Sequence, residues 1–218
     1  PVKTVMDIGA KIGEWTLRMA NTVGSEGRVY SFEPIPLINK SLNKTLRINN
    51  LSQVTLCQLA LGDQSGDLEF TIPIDSNDRA IHGESRLGTE EGNWNIYTEV
   101  KSTKNIKVKT STLDQFSSER SIDRLDFVKI DVEGKELGIL EGGQETFSRF
   151  TPALILEVGC EKENDRKRIA ELLRSWGYEI VGIVVAHGIV EVSWEQHANL
   201  DNPFIKKYPS NVLFLSNK

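Results

Sequence analysis

The amino-acid sequence predicts a doubly wound α/β domain built around a mostly parallel sheet. Apolar runs that end in turn residues alternate with amphipathic stretches, the pattern of consecutive βαβ units. The runs at 127–128 and 154–156 are continuously apolar, as expected of strands that are covered on both faces. A chain of 218 residues with 39% hydrophobic residues suits one domain, residues 1–218, with one large core.

Three strands and two helices are predicted before residue 60. The strands are at 4–8, 28–32 and 54–59, and the helical stretches between them are at 15–20 and 37–48. The alternation then breaks between residues 66 and 112. There, 67–72 and 106–110 are predicted as strands on either side of a polar, glycine-containing loop at 75–95. Because a loop this long in a compact domain is usually functional or disordered, we interpret 66–112 as an insertion that covers a substrate pocket.

The alternation of strand and helix resumes after the insertion. Predicted strands at 126–131 and 153–158 are each followed by a helix, at 135–147 and 162–176, and Gly177 is the expected C-cap of the second helix. No stretch between the last two strands, 178–185 and 211–215, suits a parallel crossover. These strands are therefore predicted to form an antiparallel pair at one edge of the sheet.

Composition excludes several classes of partner. The formal charge is −5 and the basic residues are dispersed among acids, so nucleic acid is not expected to bind. Cys57 and Cys160 lie far apart and match neither a disulfide framework nor a metal-ligand spacing, which favours a reducing, cytoplasmic setting. No apolar run is long enough to cross a bilayer and no N-terminal run resembles a signal peptide, so no membrane partner is expected. The oligomeric state stays open.

A glycine-containing turn follows the first predicted strand, where ligands bind in open parallel sheets. Gly9 permits a tight turn close to a ligand, Ala10 leaves the approach unobstructed, and Gly13 lets the next helix pack closely. Asp7 places a carboxylate at the end of the strand. A dinucleotide-binding G-x-G-x-x-G pattern is not met, because Lys11 takes its third position, and this argues against NAD.

Acidic residues around this turn suit a nucleoside that carries positive charge. Asp7 and Glu14 would repel a pyrophosphate but attract an amino or sulfonium group. About 20 residues after the turn, Glu33 ends the second strand at the spacing expected for an acid that accepts both ribose hydroxyls. Pro34 ends the strand and fixes that carboxylate.

Four motifs in this order resemble the FkbM family of methyltransferases. They are Val5-Met6-Asp7-Ile8-Gly9-Ala10 through Gly13, Phe32-Glu33-Pro34, Ala60-Leu61-Gly62-Asp63, and Lys129-Ile130-Asp131-Val132-Glu133-Gly134. The resemblance runs from residue 5 to 143 and continues more weakly through 154–158 and 211–215. It departs at Lys11, where members usually have Asn, and in the 81–87 loop, where only a serine matches.

The resemblance implies a class I methyltransferase (Rossmann-like) fold, S-adenosylmethionine as methyl donor, and a hydroxyl of a sugar, small molecule or natural product as acceptor. By position it implies that the cofactor contacts Asp7, Gly9, Gly13, Glu33, Ala60, Leu61 and Asp131. Ala10, Lys11 and Pro34 adjoin these residues and are also expected to contact the cofactor. Asp131 would lie beside the methyl group. A nucleoside-binding module without catalysis is the second hypothesis, favoured by the unusual Lys11, and a dehydrogenase is the third.

The segment 129–133 supplies the candidate catalytic groups. Strand alternation places Lys129, Asp131 and Glu133 on one side, so three ionisable groups would meet at the mouth of the pocket. Asp131 would hold the cofactor or the acceptor, while Lys129 or Glu133 would assist proton removal. The alternative interpretation is that Lys129 pairs with a carboxylate and Glu133 begins the next helix.

Other candidates come from the insertion and the next strand. His82 is a candidate general base near neutral pH, and His187 and His197 are expected on the surface. Trp94 and Tyr97 would stack on an acceptor or anchor the loop. Glu157 would contact substrate or, with Asp131, bind a divalent ion, although no required metal is predicted because the spacing of the carboxylates matches no metal motif.

Overall fold

Two β-sheets organise the fold in the computed structural model, which describes residues 3–77, 86–87, 100–159, 163–198 and 210–217. The strands are β1 Thr4–Ile8, β2 Arg28–Phe32, β3 Val54–Cys57, β4 Ala60–Leu61, β5 Gly66–Asp75, β6 Arg86–Leu87, β7 Val100–Ser111, β8 Phe127–Ile130, β9 Ala153–Val158, β10 Tyr178–Val185, β11 Gly188–Glu191 and β12 Ser210–Ser216. The helices are α1 Glu14–Val23, α2 Pro36–Ile48, α3 Leu113–Glu119, α4 Glu136–Glu141, α5 Gln144–Phe150, α6 Glu163–Ser175 and α7 Trp194–Ala198.

The larger sheet has eight strands in the order β11-β10-β12-β9-β8-β1-β2-β3. Strands β3, β2, β1, β8 and β9 pair in parallel, whereas β12 pairs antiparallel with both β9 and β10. The mostly parallel sheet and its antiparallel pair are confirmed, and β11 adds a further antiparallel strand at the edge. From β1 the chain proceeds to β2 and β3 on one side and later returns to β8 on the other. Strand order therefore reverses between β1 and β8, which is where an open α/β sheet binds ligands.

Helices cover both faces of this sheet, as the doubly wound prediction requires. Val5 and Val29 face α1, where they are buried against Met19 and Ala20. The alternate residues of β1 face the opposite way into the main core, which includes residues of α3, α4, α5 and α6. Within the described residues, no helix combines the length and apolarity that crossing a bilayer requires.

The smaller sheet is the insertion that interrupts the alternation. Its strands lie in the order β4-β7-β5-β6, and β5 and β7 form a long antiparallel ladder from Gly66 opposite Thr110 to Asp75 opposite Val100. Both predicted strands, 67–72 and 106–110, lie inside this ladder. Ile72 packs against Ile35 and Ile38, which fixes the hairpin onto the start of α2.

The helix predicted over 135–147 is wrong in one respect, because it is two helices, α4 and α5. The break falls at Gly142 and Gly143. A Cβ at Gly142 would lie 2.0 Å from the carbonyl oxygen of Gly62, so the chain turns where another backbone passes closely. The next predicted helix, 162–176, corresponds to α6, and Gly177 follows it with a φ of 85°.

Candidate active site

A cleft opens at the ends of β1, β2 and β8, at the reversal of strand order. Eight of the residues predicted for the site line it: Gly9, Lys11, Glu33, Pro34, Ala60, Leu61, Asp131 and Glu133. Sequence reasoning missed part of its apolar wall, including Ile38 from α2 and Phe70 from β5.

Gly9 forms the turn that connects the cleft to the sheet. Its φ of 82° is readily adopted only by glycine, and its N–H and that of Ala10 donate to the carbonyl of Phe32 at 3.1 and 2.9 Å. A Cβ at this position would lie 1.9 Å from the carbonyl oxygen of Asp131. The glycine is therefore required where the end of β8 passes over the turn.

Glu33 is the acid at one end of the cleft, and only 3% of it is exposed. One carboxylate oxygen accepts from the N–H of Lys11 at 3.0 Å and the other from the N–H of Ile35 at 2.8 Å. Burial raises the pKa of Glu33 to about 7, against the lowering effect of these two hydrogen bonds. Because each carboxylate oxygen has a second acceptor position, Glu33 retains the capacity to bind hydroxyls.

Lys11 crosses to the other end of the cleft. Its backbone has a φ of 48°, and its Nζ lies 3.1 Å from Asp131 Oδ1 and 2.7 Å from Glu133 Oε1. Burial opposes the charge of Lys11, but the two carboxylates outweigh it and raise the lysine pKa. The departure from the family at Lys11 thus places a cation against the acids that follow β8.

Asp131 contacts three ionisable side chains. Besides Lys11, Lys129 donates to it at 2.7 Å, and Glu157 shares a hydrogen bond with it. Burial acts to raise the pKa of Asp131, but the Lys129 and Lys11 ammonium groups hold it below its ordinary value. Burial and the neighbouring Asp131 raise the pKa of Glu157 to about 8. The proton shared by this carboxyl pair therefore resides on Glu157 at neutral pH.

Replacement of Glu157 by glutamine is expected to flatten the pH dependence of stability. A raised carboxyl pKa contributes stability below its ordinary value of 4.5, and this contribution is lost as pH rises through about 8. Glutamine cannot ionise, so the melting temperature of Glu157→Gln should rise relative to the wild type across that interval. Exposed Glu26→Gln serves as the control. A difference between Glu157→Gln and wild type that is constant with pH would contradict the assignment.

Asp7 and Lys129 are not in the cleft, contrary to the sequence-based prediction. They are register partners on β1 and β8 and face α1, and each is only 1% exposed. Asp7 accepts from the hydroxyl of Thr16 at 2.5 Å, and Lys129 Nζ lies 5.6 Å from the ring centre of Trp15. Burial raises the pKa of Asp7 despite the Thr16 hydrogen bond and nearby Lys129. Both side chains lie beneath the cleft, between the sheet and α1. Lys129 is therefore not placed to remove a proton from a ligand in the cleft.

Two further predicted contacts support the turn from below rather than lining the cleft. Ala10 is 4% exposed and packs with Leu42 and Leu46 of α2. A Cβ at Gly13 would lie 2.3 Å from Leu42 Cδ1, so the glycine lets α2 approach the start of α1. The strand-end rule located the turn correctly but did not predict which of its residues α2 would cover.

The remaining candidates from the sequence are three histidines and two aromatic residues. His82, Trp94 and Tyr97 lie outside the described residues. His187 is exposed as expected, whereas His197 is 1% exposed and packs beside Trp194 and Phe214, so its predicted surface position is wrong.

Carboxylate oxygens of Asp131, Glu133 and Glu157 lie within 4.8 Å of one another, a spacing that a divalent cation could bridge. Two of these carboxylates bind the Lys11 ammonium, and Lys129 reaches Asp131 as well. The negative charge of the cluster is thus already balanced by lysine side chains.

Comparison of the sequence with models of known protein families identifies the family. The model of the methyltransferase FkbM domain matches residues 7–180, which include the glycine turn, Glu33, Asp131 and Glu157. The chain belongs to the FkbM methyltransferase family. It is therefore a methyltransferase, and the match confirms the family that the four sequence motifs predicted.

Named relatives of this FkbM domain are distant. Methyltransferase 1 of Beauveria bassiana is 25% identical over 81% of this chain and 72% of its own length. The 2-O-methyltransferase NoeI of Sinorhizobium fredii is 24% identical over 68% of this chain and 60% of its own length.

The fold matches a solved structure of the same family. The crystal structure of methyltransferase FkbM from Methylobacillus flagellatus KT superposes with a TM-score of 0.60 at 18% identity. The match covers 98% of this chain and 43% of that protein. The class I methyltransferase fold is confirmed for the FkbM domain described here.

Proposed function

We propose that this chain transfers a methyl group from S-adenosylmethionine to a hydroxyl oxygen of a sugar or other small molecule. The observation that carries the proposal is a single cleft with an acid at each end. Glu33 borders one end and the pair Asp131 and Glu133 the other, with the glycine turn between them. This arrangement suits a ligand with a diol at one end and a cationic group at the other.

The residues present fit this cofactor. Glu33 would accept the ribose hydroxyls, and the apolar wall that includes Leu61 and Phe70 would cover the adenine. Asp131 and Glu133 would accept from the amino group of the methionyl end, and their contacts with the Lys11 ammonium support this because the group is chemically equivalent. The bound cofactor supplies an electrophilic methyl group on a sulfonium sulfur.

A hydroxyl acceptor must lose its proton during methyl transfer, so a nearby base is required. Asp131 is a weak base because two ammonium groups stabilise its charge. Glu157 is the stronger base of the two, since burial and Asp131 raise its pKa to about 8. It accepts a proton only when ionised, so methyl transfer that uses Glu157 should become faster as pH rises through about 8. The relative NoeI, which is named a 2-O-methyltransferase, supports oxygen as the acceptor atom. His82 stays a candidate from the sequence alone.

Calorimetric titration tests the cofactor. We expect S-adenosylmethionine and S-adenosylhomocysteine to bind and NAD not to bind, because the glycine turn lacks a pyrophosphate site. Absence of binding by the first two ligands would refute the proposal.

The acceptor is tested separately by incubating the chain with S-adenosylmethionine and a panel of hydroxylated sugars and small metabolites. Release of S-adenosylhomocysteine together with the mass of one added methyl group shows methyl transfer, and NMR spectroscopy of the product shows whether the methyl group is on oxygen. Cofactor binding without any turnover would favour the second hypothesis, a binding module without catalysis.

A further inference from the structure

Lys11 occupies the acidic end of the cleft with a group that resembles part of the proposed cofactor. Its Nζ makes two short ion pairs, at 3.1 Å to Asp131 and 2.7 Å to Glu133. A lysine ammonium and the α-ammonium of a methionyl group carry the same charge and the same three N–H donors. They therefore compete for the same carboxylate oxygens.

We propose that Lys11 is a specificity-determining residue whose ammonium must be displaced before the amino group of the cofactor can bind. The inference rests on the proposed function. Compared with a variant that lacks this cation, the chain should therefore have a stronger preference for adenosyl ligands without the amino acid moiety.

The two carboxylates are held in place independently of Lys11. Lys129 binds the other oxygen of Asp131 at 2.7 Å. The turn that carries Glu133 is held by Glu136, whose carboxylate accepts from the N–H groups of Val132 and Gly134 at 3.1 and 3.2 Å. Removal of the Lys11 side chain would therefore leave an ammonium site that is already formed.

Two lysines bind Asp131, and of these only Lys11 is exposed enough for its ammonium group to move away. Its side chain is 39% exposed, whereas that of Lys129 is 1% exposed beneath the cleft. A partly exposed lysine side chain can turn its charge towards solvent when another cation takes its place, whereas a buried one cannot. The backbone of Lys11 would remain in place, because its N–H donates to Glu33.

The test compares two ligands that differ in the amino acid moiety. Calorimetry measures the affinity of wild-type chain and Lys11→Asn for S-adenosylhomocysteine and for 5′-methylthioadenosine, which lacks that moiety. Asparagine tolerates the positive φ of residue 11 and removes the cation. We expect Lys11→Asn to bind S-adenosylhomocysteine roughly fivefold more tightly, as expected for loss of a partly exposed ion pair, with less than about a twofold change for methylthioadenosine.

Two control variants separate displacement from other effects. Lys11→Arg keeps a cation and should retain the wild-type preference, and Lys135→Met removes another positive charge from the lining of the same cleft. Melting curves establish that each variant is folded. Weaker binding of S-adenosylhomocysteine by Lys11→Asn would overturn the inference, because Lys11 would then contact the cofactor. An equal gain for both ligands, or for Lys135→Met, would overturn it too. If the wild-type chain binds neither ligand, the proposed function itself fails.

Discussion

Exchange of Glu33 for alanine is expected to weaken the binding of S-adenosylhomocysteine roughly a hundredfold. Hydrogen bonds to a charged group contribute about 1.5–3 kcal/mol each, and two ribose hydroxyls would lose their carboxylate acceptor. A hundredfold loss corresponds to the lower end of this range, about 3 kcal/mol in total. The exchange also removes the acceptor for the N–H groups of Lys11 and Ile35, which loosens the glycine turn. Isothermal titration calorimetry measures the effect.

Glu14 supplies the matched control for this measurement. It is an exposed acid in the first turn of α1, close in sequence to the same turn, and it pairs with Arg18 at 2.9 Å. Glu14→Ala should change the affinity by less than about twofold, since exposed ion pairs contribute little. If Glu33→Ala bound the ligand as tightly as Glu14→Ala, Glu33 would not hold the ribose.

The pKa of Glu33 adds a second readout. Ribose hydroxyls donate to the ionised carboxylate, so ligand affinity should rise as pH increases through about 7 and then level off. The unliganded chain has the opposite dependence: the raised pKa contributes stability below 4.5 that is lost as pH rises through about 7. Glu33→Gln should bind weakly with little pH dependence in this interval.

Exchange of Gly9 for alanine is expected to destabilise the fold by about 3–5 kcal/mol. The positive φ costs a side chain about 1–2 kcal/mol, and the new Cβ would overlap the carbonyl oxygen of Asp131, which forces the end of β8 to move. Urea unfolding measures the change in free energy.

Gly24 isolates the backbone part of this effect. Its φ is 75°, close to that of Gly9, but a Cβ there meets no atom within 4 Å. The ψ of Gly24 is −176°, a backbone conformation that other residues rarely adopt, so Gly24→Ala should lose about 1–3 kcal/mol from the backbone alone. Equal losses at the two positions would mean that the approach of Asp131 to the turn does not require a glycine.

Local sequence patterns predicted those features of the site that depend on where a strand ends. Glu33 and Asp131 follow directly from this rule and both line the cleft. Asp7 was predicted by the same rule, yet its side chain faces α1. Asp7 and Lys129 are register partners, and both lie on the face of the sheet that α1 covers. Strand-end position can be predicted from one segment, but the face that a helix covers depends on packing between segments.

The ion pairs of Lys11 could not be predicted in the same way. They join the turn after β1 to the end of β8, which is 120 residues later in the chain. The contact arises only because β1 and β8 are neighbours in the sheet. In the sequence, the visible anomaly was a lysine at a turn position where family members usually have Asn, and the acids at 131 and 133 were the other signal.

The two ends of the β5–β7 hairpin differ in their contacts with the rest of the domain. Its base contributes Phe70 to the wall of the cleft and is fixed to α2 through Ile72. Its ladder then continues to Asp75 opposite Val100, beyond these contacts. Substitutions in the outer part of this ladder would therefore leave the wall of the cleft and its attachment to α2 in place, so this part of the hairpin can vary in sequence while the floor beneath it stays constant.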